Sequence, residues 1–267
     1  RRTGRRKKSF FKGFLFSAVV FSSILLFSAV GFLLFSPRFQ ISQVTVTGNK
    51  DIATSDIKNA AQSQLKKTFS IMGMDFSTES IFLSLGSGVS SLAEAFPEIQ
   101  SISVKKNFPN GLSIQVTEKT PFAVWCEEYD KEKCYLVDKP GTYIRDYGSN
   151  DAPIAGLLKV YERENISSLS RKEILTSLEK IEGALNQKVA IDDFNLFQSK
   201  VAIDTNLNCQ FIFILEEQQK QEAEANVITL DWQLEKMNTV LKDGRYSGKL
   251  NTMSYVDLRY GNNVVIK

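Results

Sequence analysis

The residue types that most enzymes use for chemistry are scarce in this sequence. Histidine is absent, which excludes Ser-His-Asp and Cys-His nucleophilic sites and every metal site that needs a histidine ligand. Three cysteines cannot form a four-cysteine zinc site. The adjacent Asp192 and Asp193 would point to opposite faces of a strand, which suits no acid–base dyad. Catalysis by another carboxylate pair or by a Ser-Lys pair stays open, but no motif indicates it. We therefore predict no enzymatic activity, no cofactor and no small-molecule substrate.

The spacing of two of the cysteines suggests a disulfide bond. Cys126 and Cys134 flank a polar run, EEYDKEK, which lies between two apolar stretches. In an exported hairpin the two thiols would face each other and form a disulfide. The alternative is a pair of reduced, half-buried cysteines. Cys209 alternates with Phe211 and Phe213, which predicts a buried strand residue.

The compartment of these residues depends on a charge-free run at residues 13–37, GFLFSAVVFSSILLFSAVGFLLFSP. As a helix rising about 1.5 Å per residue, it can cross a hydrocarbon core of about 30 Å. Residues 1–12 carry seven Lys or Arg and no acid, which predicts a cytoplasmic N-terminus and an extracytoplasmic body at the plasma membrane. Subtracting those seven charges from the net +3 leaves −4 for residues 13–267, so we predict no nucleic-acid partner. A cleaved signal peptide is the alternative, but its apolar core is usually shorter and ends in a small-x-small site.

Two patterns follow the membrane run. Residues 39–118 read as a strand at 39–47, a helix beginning near Ser55 and Asp56, a looser stretch at 68–77, a second helix over about 80–95, and a hairpin of 101–105 with 112–118. The order β-α-α-β-β predicts a small domain with one three-stranded sheet. From residue 120 the sequence predicts short strands with two helices, from Ser170 to Gln187 and over 227–241. Trp232 lies off the apolar stripe of the second helix, so we interpret it either as the edge of a core or as part of a partner surface.

Three segments of this sequence resemble one protein family. The run Ile41–Asn49, ISQVTVTGN, looks like the opening of a POTRA domain, and residues 97–125 resemble the hairpin and exit of that domain in FtsQ/DivIB cell-division proteins. Residues 255–260, YVDLRY, with the turn and short strand after them, are similar to the end of FtsQ/DivIB chains. The predicted fold class is α+β: a cytoplasmic tail (1–12), a transmembrane helix (13–37), a POTRA-like domain (38–119) and a larger mixed domain (120–267) with a mostly antiparallel sheet.

The resemblance implies a non-enzymatic, single-pass scaffold at the division septum. In that family the second domain binds the extracytoplasmic ends of FtsB and FtsL, and the assembly regulates septal peptidoglycan synthesis by FtsW and FtsI. The corresponding partner-binding residues here would be Tyr260, Asn262, Asn263, Val264, Val265 and Ile266, with Trp232 as a further candidate. An edge strand can recruit a partner strand by β-augmentation, whereas the alternative is an internal strand that only closes a sheet. A POTRA-bearing transport or assembly factor and a membrane-anchored cell-wall enzyme are the competing functions.

Overall fold

The chain forms two compact units, Arg1–Glu118 and Lys119–Lys267. The structure is a computed structural model that describes residues 7–65, 68–71, 73–77, 79–82, 92–127, 133–148, 151–166, 169–185, 188–215 and 229–267. Residues 1–6 of the predicted cytoplasmic tail (1–12) and a run rich in glutamate and glutamine at 216–224 lie outside these ranges.

The first unit begins with a long apolar helix, α1 (Lys7–Phe35). Within it, Gly13–Phe35 has the length and hydropathy of a membrane span, and none of that segment is buried against the protein. An N-terminal helix of this kind indicates a single-pass membrane protein. A 3₁₀ turn, Pro37–Phe39, follows at once, with the Ser36 hydroxyl accepting the Arg38 N–H.

The remainder of the first unit is an α/β domain with one three-stranded sheet. Its elements are β1 (Gln43–Thr47), α2 (Thr54–Leu65), β2 (Thr68–Ile71), β3 (Met74–Ser77), β4 (Ile99–Asn107) and β5 (Gly111–Glu118). Strand β5 is central, parallel to β1 and antiparallel to β4. Buried Ile57 and Ala61 of α2 share one core with Leu112, Ile114 and Val116 of β5. The predicted three-stranded sheet is therefore confirmed.

Two local predictions in this domain differ from the structure. The stretch read as loose, 68–77, contains the β2–β3 hairpin, which turns at Gly73 with a φ of +79°. The helix predicted from Ser80 is wrong at its start, because Ser80 forms an isolated bridge to Gln40 and residues 81–82 are a turn. Residues 83–91 lie outside the described part of the chain, and residues 92–95 are helical.

The loop after β1 is held by one carboxylate. Glu118 accepts the backbone N–H groups of Lys50, Asp51 and Ile52 at 2.8, 2.9 and 3.1 Å. Burial acts to raise the pKa of Glu118, but these three hydrogen bonds outweigh it and leave the pKa below its usual value. The turn itself needs Gly48, which has a φ of +89° and where a Cβ would lie 2.2 Å from the Val116 carbonyl oxygen.

The second unit is built on a nine-stranded sheet. Its strands are β6 (Ala123–Glu127), β7 (Lys133–Val137), β8 (Tyr143–Asp146), β9 (Leu158–Glu162), β10 (Ile191–Phe197), β11 (Lys200–Thr205), β12 (Gln210–Phe213), β13 (Tyr255–Asp257) and β14 (Val265–Ile266). The spatial order is β14-β13-β12-β11-β10-β9-β6-β7-β8. Neighbours are antiparallel except for β6–β9, β9–β10 and β12–β13. The α+β fold class is confirmed, with a mixed sheet rather than a purely antiparallel one.

One face of this sheet is covered by helices α3 (Arg171–Leu185) and α4 (Leu230–Lys242), with a one-turn helix α5 (Gly244–Ser247) after them. The helix predicted from Ser170 to Gln187 is thus present as α3, and its apolar stripe is buried, with Leu178, Ile181 and Leu185 at 0% exposure. It packs in one cluster with alternate strand residues such as Phe194, Phe211 and Val256. The sheet and its two helices therefore form one hydrophobic core that sets the positions of the strands at both edges.

Candidate functional site

The last hairpin of the sequence forms one edge of the nine-stranded sheet. Strand β13 is internal, because it pairs in parallel with β12 and antiparallel with β14. Its residue Val256 and the following Leu258 are 0% exposed and belong to the core under α4. Strand β14 pairs only with β13 among the described strands, so it is an edge strand. Val256 and Leu258 therefore serve as core residues of the sheet.

The hydrogen bonds of this hairpin fix which backbone groups of β14 face outward. Tyr255 and Lys267 exchange both of their backbone hydrogen bonds, at 3.4 and 3.2 Å. Residue pairs along an antiparallel ladder alternate between bonded and non-bonded. The next pair, Val256 with Ile266, is therefore non-bonded, and the N–H and C=O of Ile266 point away from β13. Val265, opposite Asp257, uses its backbone groups inward.

A single lysine on α4 organises the turn that leads into β14. The Lys236 Nζ donates to the carbonyl oxygens of Leu258 at 2.6 Å and Gly261 at 2.9 Å, and lies 3.3 and 3.4 Å from those of Tyr260 and Asn263. Burial lowers the pKa of Lys236, and the negative charge of Asp257 acts in the opposite direction. The two short hydrogen bonds, to Leu258 and Gly261, hold the backbone of the turn to the helix.

The same lysine brings Trp232 to the site. The Lys236 Nζ lies 4.0 Å from the centroid of the Trp232 ring, one helical turn earlier, which is a cation–π contact. The Trp232 side chain is half-buried. The sequence predicts Trp232 and the C-terminal hairpin as candidate partner-binding residues, but it gives no contact between them. In the structure, Lys236 contacts both of them. The sequence does not single out Lys236, although it lies four residues after Trp232 on the same predicted helix.

A second charged pair stiffens the chain before the turn. Asp257 is 4% exposed, and its two carboxylate oxygens accept the Arg259 Nε at 2.9 Å and Nη2 at 2.7 Å. This side-chain hydrogen bonding is the main cause of the raised pKa of Arg259. The guanidinium carbon also lies 5.7 Å from the Tyr260 ring centroid. Such a bidentate pair fixes direction as well as distance, so it orients the chain toward Tyr260.

The predicted partner-binding residues fall into three groups in this geometry. Tyr260 and Val265 are 51% and 40% exposed. Asn262 and Asn263 are exposed on the turn, where the Asn263 N–H donates to the Tyr260 carbonyl oxygen at 3.0 Å. Val264 and Ile266 are partly buried against the core. The exposed residues lie on the same hairpin as the outward backbone groups of Ile266, and an edge of this kind suits recognition of an extended peptide.

Near the other edge of the sheet, Cys126 and Cys134 lie opposite each other on β6 and β7 and form a disulfide. A cavity of about 280 Å³ lies close by, lined by Trp125, Glu127, Glu162, Asn165, Ile166, Leu169, Arg171 and Ile174. Its carboxylates are engaged by the protein. Glu162 accepts the Trp125 indole N–H at 2.9 Å and the Ile166 N–H at 3.1 Å. Glu127 binds Arg171 at 2.7 Å. These bonds hold loops and strands in place, which is a structural use of both acids.

The open face of the sheet holds another carboxylate pair. Asp193 lies directly opposite Asp204 on the neighbouring strand. Asp204 accepts the side-chain amides of Asn195 and Gln210, each at 2.8 Å, whereas one oxygen of Asp193 is buried with no hydrogen-bond partner among the described residues. Burial is the main cause of the raised pKa of Asp193, and the negative charges of Asp192 and Asp204 add to it. The cavity described above is lined by neither Asp193 nor Asp204.

Comparison with known proteins gives one family match. A family model described as "POTRA domain, FtsQ-type" matches residues 39–119, which is the part of the chain that holds the three-stranded sheet. No curated protein matches the chain. The predicted POTRA domain is therefore confirmed, and it is typical of division-related scaffolds that are generally non-enzymatic. This domain supports an FtsQ/DivIB-type family assignment for the chain.

Proposed function

We propose that this protein is a non-enzymatic scaffold of the division site that captures an extended segment of another divisome membrane protein at β14. The observation that carries the proposal is the outward backbone of Ile266 on β14, which pairs only with β13 among the described strands. An incoming strand would accept from the Ile266 N–H and donate to its C=O, which adds a tenth strand to the nine-stranded sheet. The match of residues 39–119 to an FtsQ-type POTRA domain supports this reading.

The side chains around that edge would give the interaction its specificity. Tyr260 and Val265 present exposed apolar surface on either side of the turn. Trp232 presents a half-buried ring that contacts Lys236, the residue that holds the turn. Aromatic residues at such positions often contribute most of the binding energy of an interface. By the family resemblance, the partners would be FtsB- and FtsL-type proteins.

The topology follows from the same proposal. The N-terminal basic residues would lie in the cytoplasm, and the helix at 13–37 would cross the plasma membrane once. The POTRA-like domain (38–119) and the second domain (120–267) would then work outside the cytoplasm, at the septum. Through its bound partners the protein would act indirectly on septal peptidoglycan synthesis by FtsW and FtsI. The carboxylates of the described cavity, which are already engaged by the protein, support a role without catalysis.

The test removes one backbone donor without disturbing the internal ladder. Ile266→Pro eliminates the outward N–H, whereas Val265→Pro would break an inward bond to β13 and disturb β14 itself. Ile266→Ala is the matched control, because it shortens the same side chain but keeps the N–H. The full-length variants are purified from native membranes, and the captured single-pass proteins are quantified by mass spectrometry.

We expect Ile266→Pro to weaken capture of the FtsB/FtsL-type pair well below the level of Ile266→Ala. A partner carbonyl left without its donor costs about 1–3 kcal/mol, which is roughly 5- to 150-fold in Kd. Capture by Ile266→Pro at the level of Ile266→Ala would overturn the edge-strand mechanism. Recovery of an outer-membrane barrel in place of small single-pass proteins would instead favour a transport or assembly factor.

A further inference from the structure

Three phenylalanines of the POTRA domain form a continuous and partly exposed cluster, which we call the aromatic patch: Phe39, Phe82 and Phe108. The ring centroids of Phe39 and Phe82 are 5.3 Å apart, and those of Phe82 and Phe108 are 5.5 Å apart. Phe82 is 40% exposed and Phe108 is 61% exposed. Apolar rings gathered at the surface of a small domain indicate a contact that the isolated domain does not make.

Backbone hydrogen bonds hold the three rings in register. The Ile81 N–H donates to the Phe39 carbonyl oxygen at 2.8 Å, which fixes the chain before Phe82 against the chain at Phe39. The Ser42 N–H donates to the Asn110 carbonyl oxygen at 3.0 Å, and the Asn110 amide donates to the Ser42 hydroxyl at 2.9 Å. The β4–β5 turn that carries Phe108 is thereby fastened to the segment that follows Phe39. The patch is a fixed feature of the domain rather than three independent side chains.

The covalent chain places this patch next to the membrane. The apolar span ends at Phe35, and a 3₁₀ turn covers Pro37–Phe39. A 3₁₀ turn advances about 2 Å per residue, so Phe39 lies within about 10 Å of the end of the membrane helix. The headgroup region on each side of a bilayer is roughly 5–8 Å thick. The Phe108 ring lies at most about 11 Å from the Phe39 ring through the two ring contacts, so the whole patch lies within about 20 Å of the end of the span and within reach of the lipid headgroups.

The charges around the patch suit a phospholipid surface. Arg38 precedes Phe39, and Lys105 and Lys106 lie just before Phe108 at the end of β4; all three side chains are exposed. The acidic residue close in sequence to Phe82 is Glu79, which is half-buried. Exposed cations beside apolar rings allow the rings to enter the acyl boundary while the cations contact lipid phosphates.

We propose that the aromatic patch docks into the headgroup layer of the same bilayer that α1 spans, and so fixes the POTRA domain upright on the membrane. This inference requires the membrane anchor but not the capture of a partner at β14. The two proposals can therefore fail separately.

The test is photo-crosslinking of the full-length protein in phospholipid nanodiscs that contain anionic lipid. A p-benzoylphenylalanine replaces Phe108, and after irradiation the lipid adducts are counted by intact mass. The matched control has the same probe at Gln100, which is exposed near the start of β4, the strand that leads to Phe108, about 25 Å away at about 3.3 Å per residue. A further variant places the probe at exposed Asn107, which leaves the patch intact if the first variant folds poorly.

We expect lipid adducts at position 108 or 107 to exceed those at position 100 by at least about tenfold, since burying a phenylalanine side chain favours the docked state by that factor or more. Phe82→Ser should reduce the adduct at position 107, because it removes the ring that joins the other two. Equal lipid labelling at 108 and 100, or no lipid labelling at either 108 or 107, would overturn the proposal. Crosslinking of 108 to a second copy of the chain instead of lipid would also overturn it.

Discussion

Replacing Lys236 by methionine tests whether one ammonium group orders the turn that we propose as part of the partner-binding surface. The Lys236 Nζ is the common donor to the carbonyl oxygens of Leu258 and Gly261 and contacts the Trp232 ring. Methionine keeps an unbranched apolar stem of similar length, so the packing of the stem on α4 is largely preserved. The substitution therefore removes the charge and the donors and little else.

The size of the effect follows from the two short hydrogen bonds. At 2.6 and 2.9 Å they have good geometry, whereas the contacts at 3.3 and 3.4 Å are too long to contribute much. A hydrogen bond to a charged group contributes about 1.5–3 kcal/mol. Burial of the ammonium, which lowers the pKa of Lys236, offsets part of that gain. We expect a net loss of about 2–3 kcal/mol in the local ordering of the turn, which is roughly 30- to 150-fold in its opening equilibrium.

Hydrogen–deuterium exchange of the full-length protein measures that opening. The reporter is the Asn263 amide, which donates to the Tyr260 carbonyl oxygen within the turn. Lys242→Met, an exposed lysine on the same helix, is the matched control and should leave the exchange unchanged. Lys236→Arg should fall between the two, because a planar guanidinium keeps the charge but cannot reproduce the three-donor geometry. If Asn263 exchanges in Lys236→Met at the rate of the Lys242→Met control, the backbone alone holds the turn and our reasoning is wrong.

Two carboxylates give predictions with opposite signs. Glu118→Gln should destabilise the POTRA domain by about 1 kcal/mol at neutral pH. Because the pKa of Glu118 in the folded protein lies below 4.5, its contribution to stability is fully present above pH 4.5 and is lost as the pH falls through the lowered pKa. The measurement is a series of thermal unfolding curves from pH 7 to pH 3. A difference in unfolding temperature between parent and variant that stays constant over this range would contradict the prediction. Asp193→Asn should stabilise the second unit at pH 7, since the folded pKa of Asp193 lies above 3.8 and its charged form is penalised by burial and by Asp204. The gain should disappear below about pH 3.8, where the carboxyl is protonated in both states, and a lower unfolding temperature for this variant at pH 7 would refute the account.

Elements with a strong local pattern could be predicted from the sequence. The charge-free run gave the membrane helix, because length and composition alone determine whether a helix can span a bilayer. The β4–β5 hairpin and the α3 stripe were also predicted, since alternation and helical spacing report which face is buried. These signals are local, so a single sequence is enough to read them.

The missed features depend on partners distant in the sequence. Strand β9 pairs in parallel with β6 and β10, and parallel neighbours are joined by long connections rather than by a recognisable turn. Its five residues, LKVYE, follow a turn at Gly156, but at least one other helix or strand separates β9 in the sequence from each strand that pairs with it. Lys236 was missed for a related reason: a lysine on the polar side of a predicted helix looks solvated until the fold brings carbonyl groups to it. The hairpin edge was predicted, but the residue that holds its shape was not.

The two edges of the nine-stranded sheet show why β14 is the better candidate for strand capture. At the far edge, β8 carries Arg145 and Asp146 next to each other, and Arg145 forms an ion pair with Asp151 at 3.0 Å. The Lys119 Nζ also donates to the carbonyl oxygen of Tyr143 on that strand at 2.9 Å. Charged side chains and occupied carbonyl groups are how proteins block an edge against further pairing. By contrast, the run Val264–Val265–Ile266 contains no charge, and the backbone of Ile266 points outward. Among the described strands, the sheet is therefore protected at its β8 edge and unpaired at its β14 edge, which is the asymmetry that the proposed single strand-binding site requires.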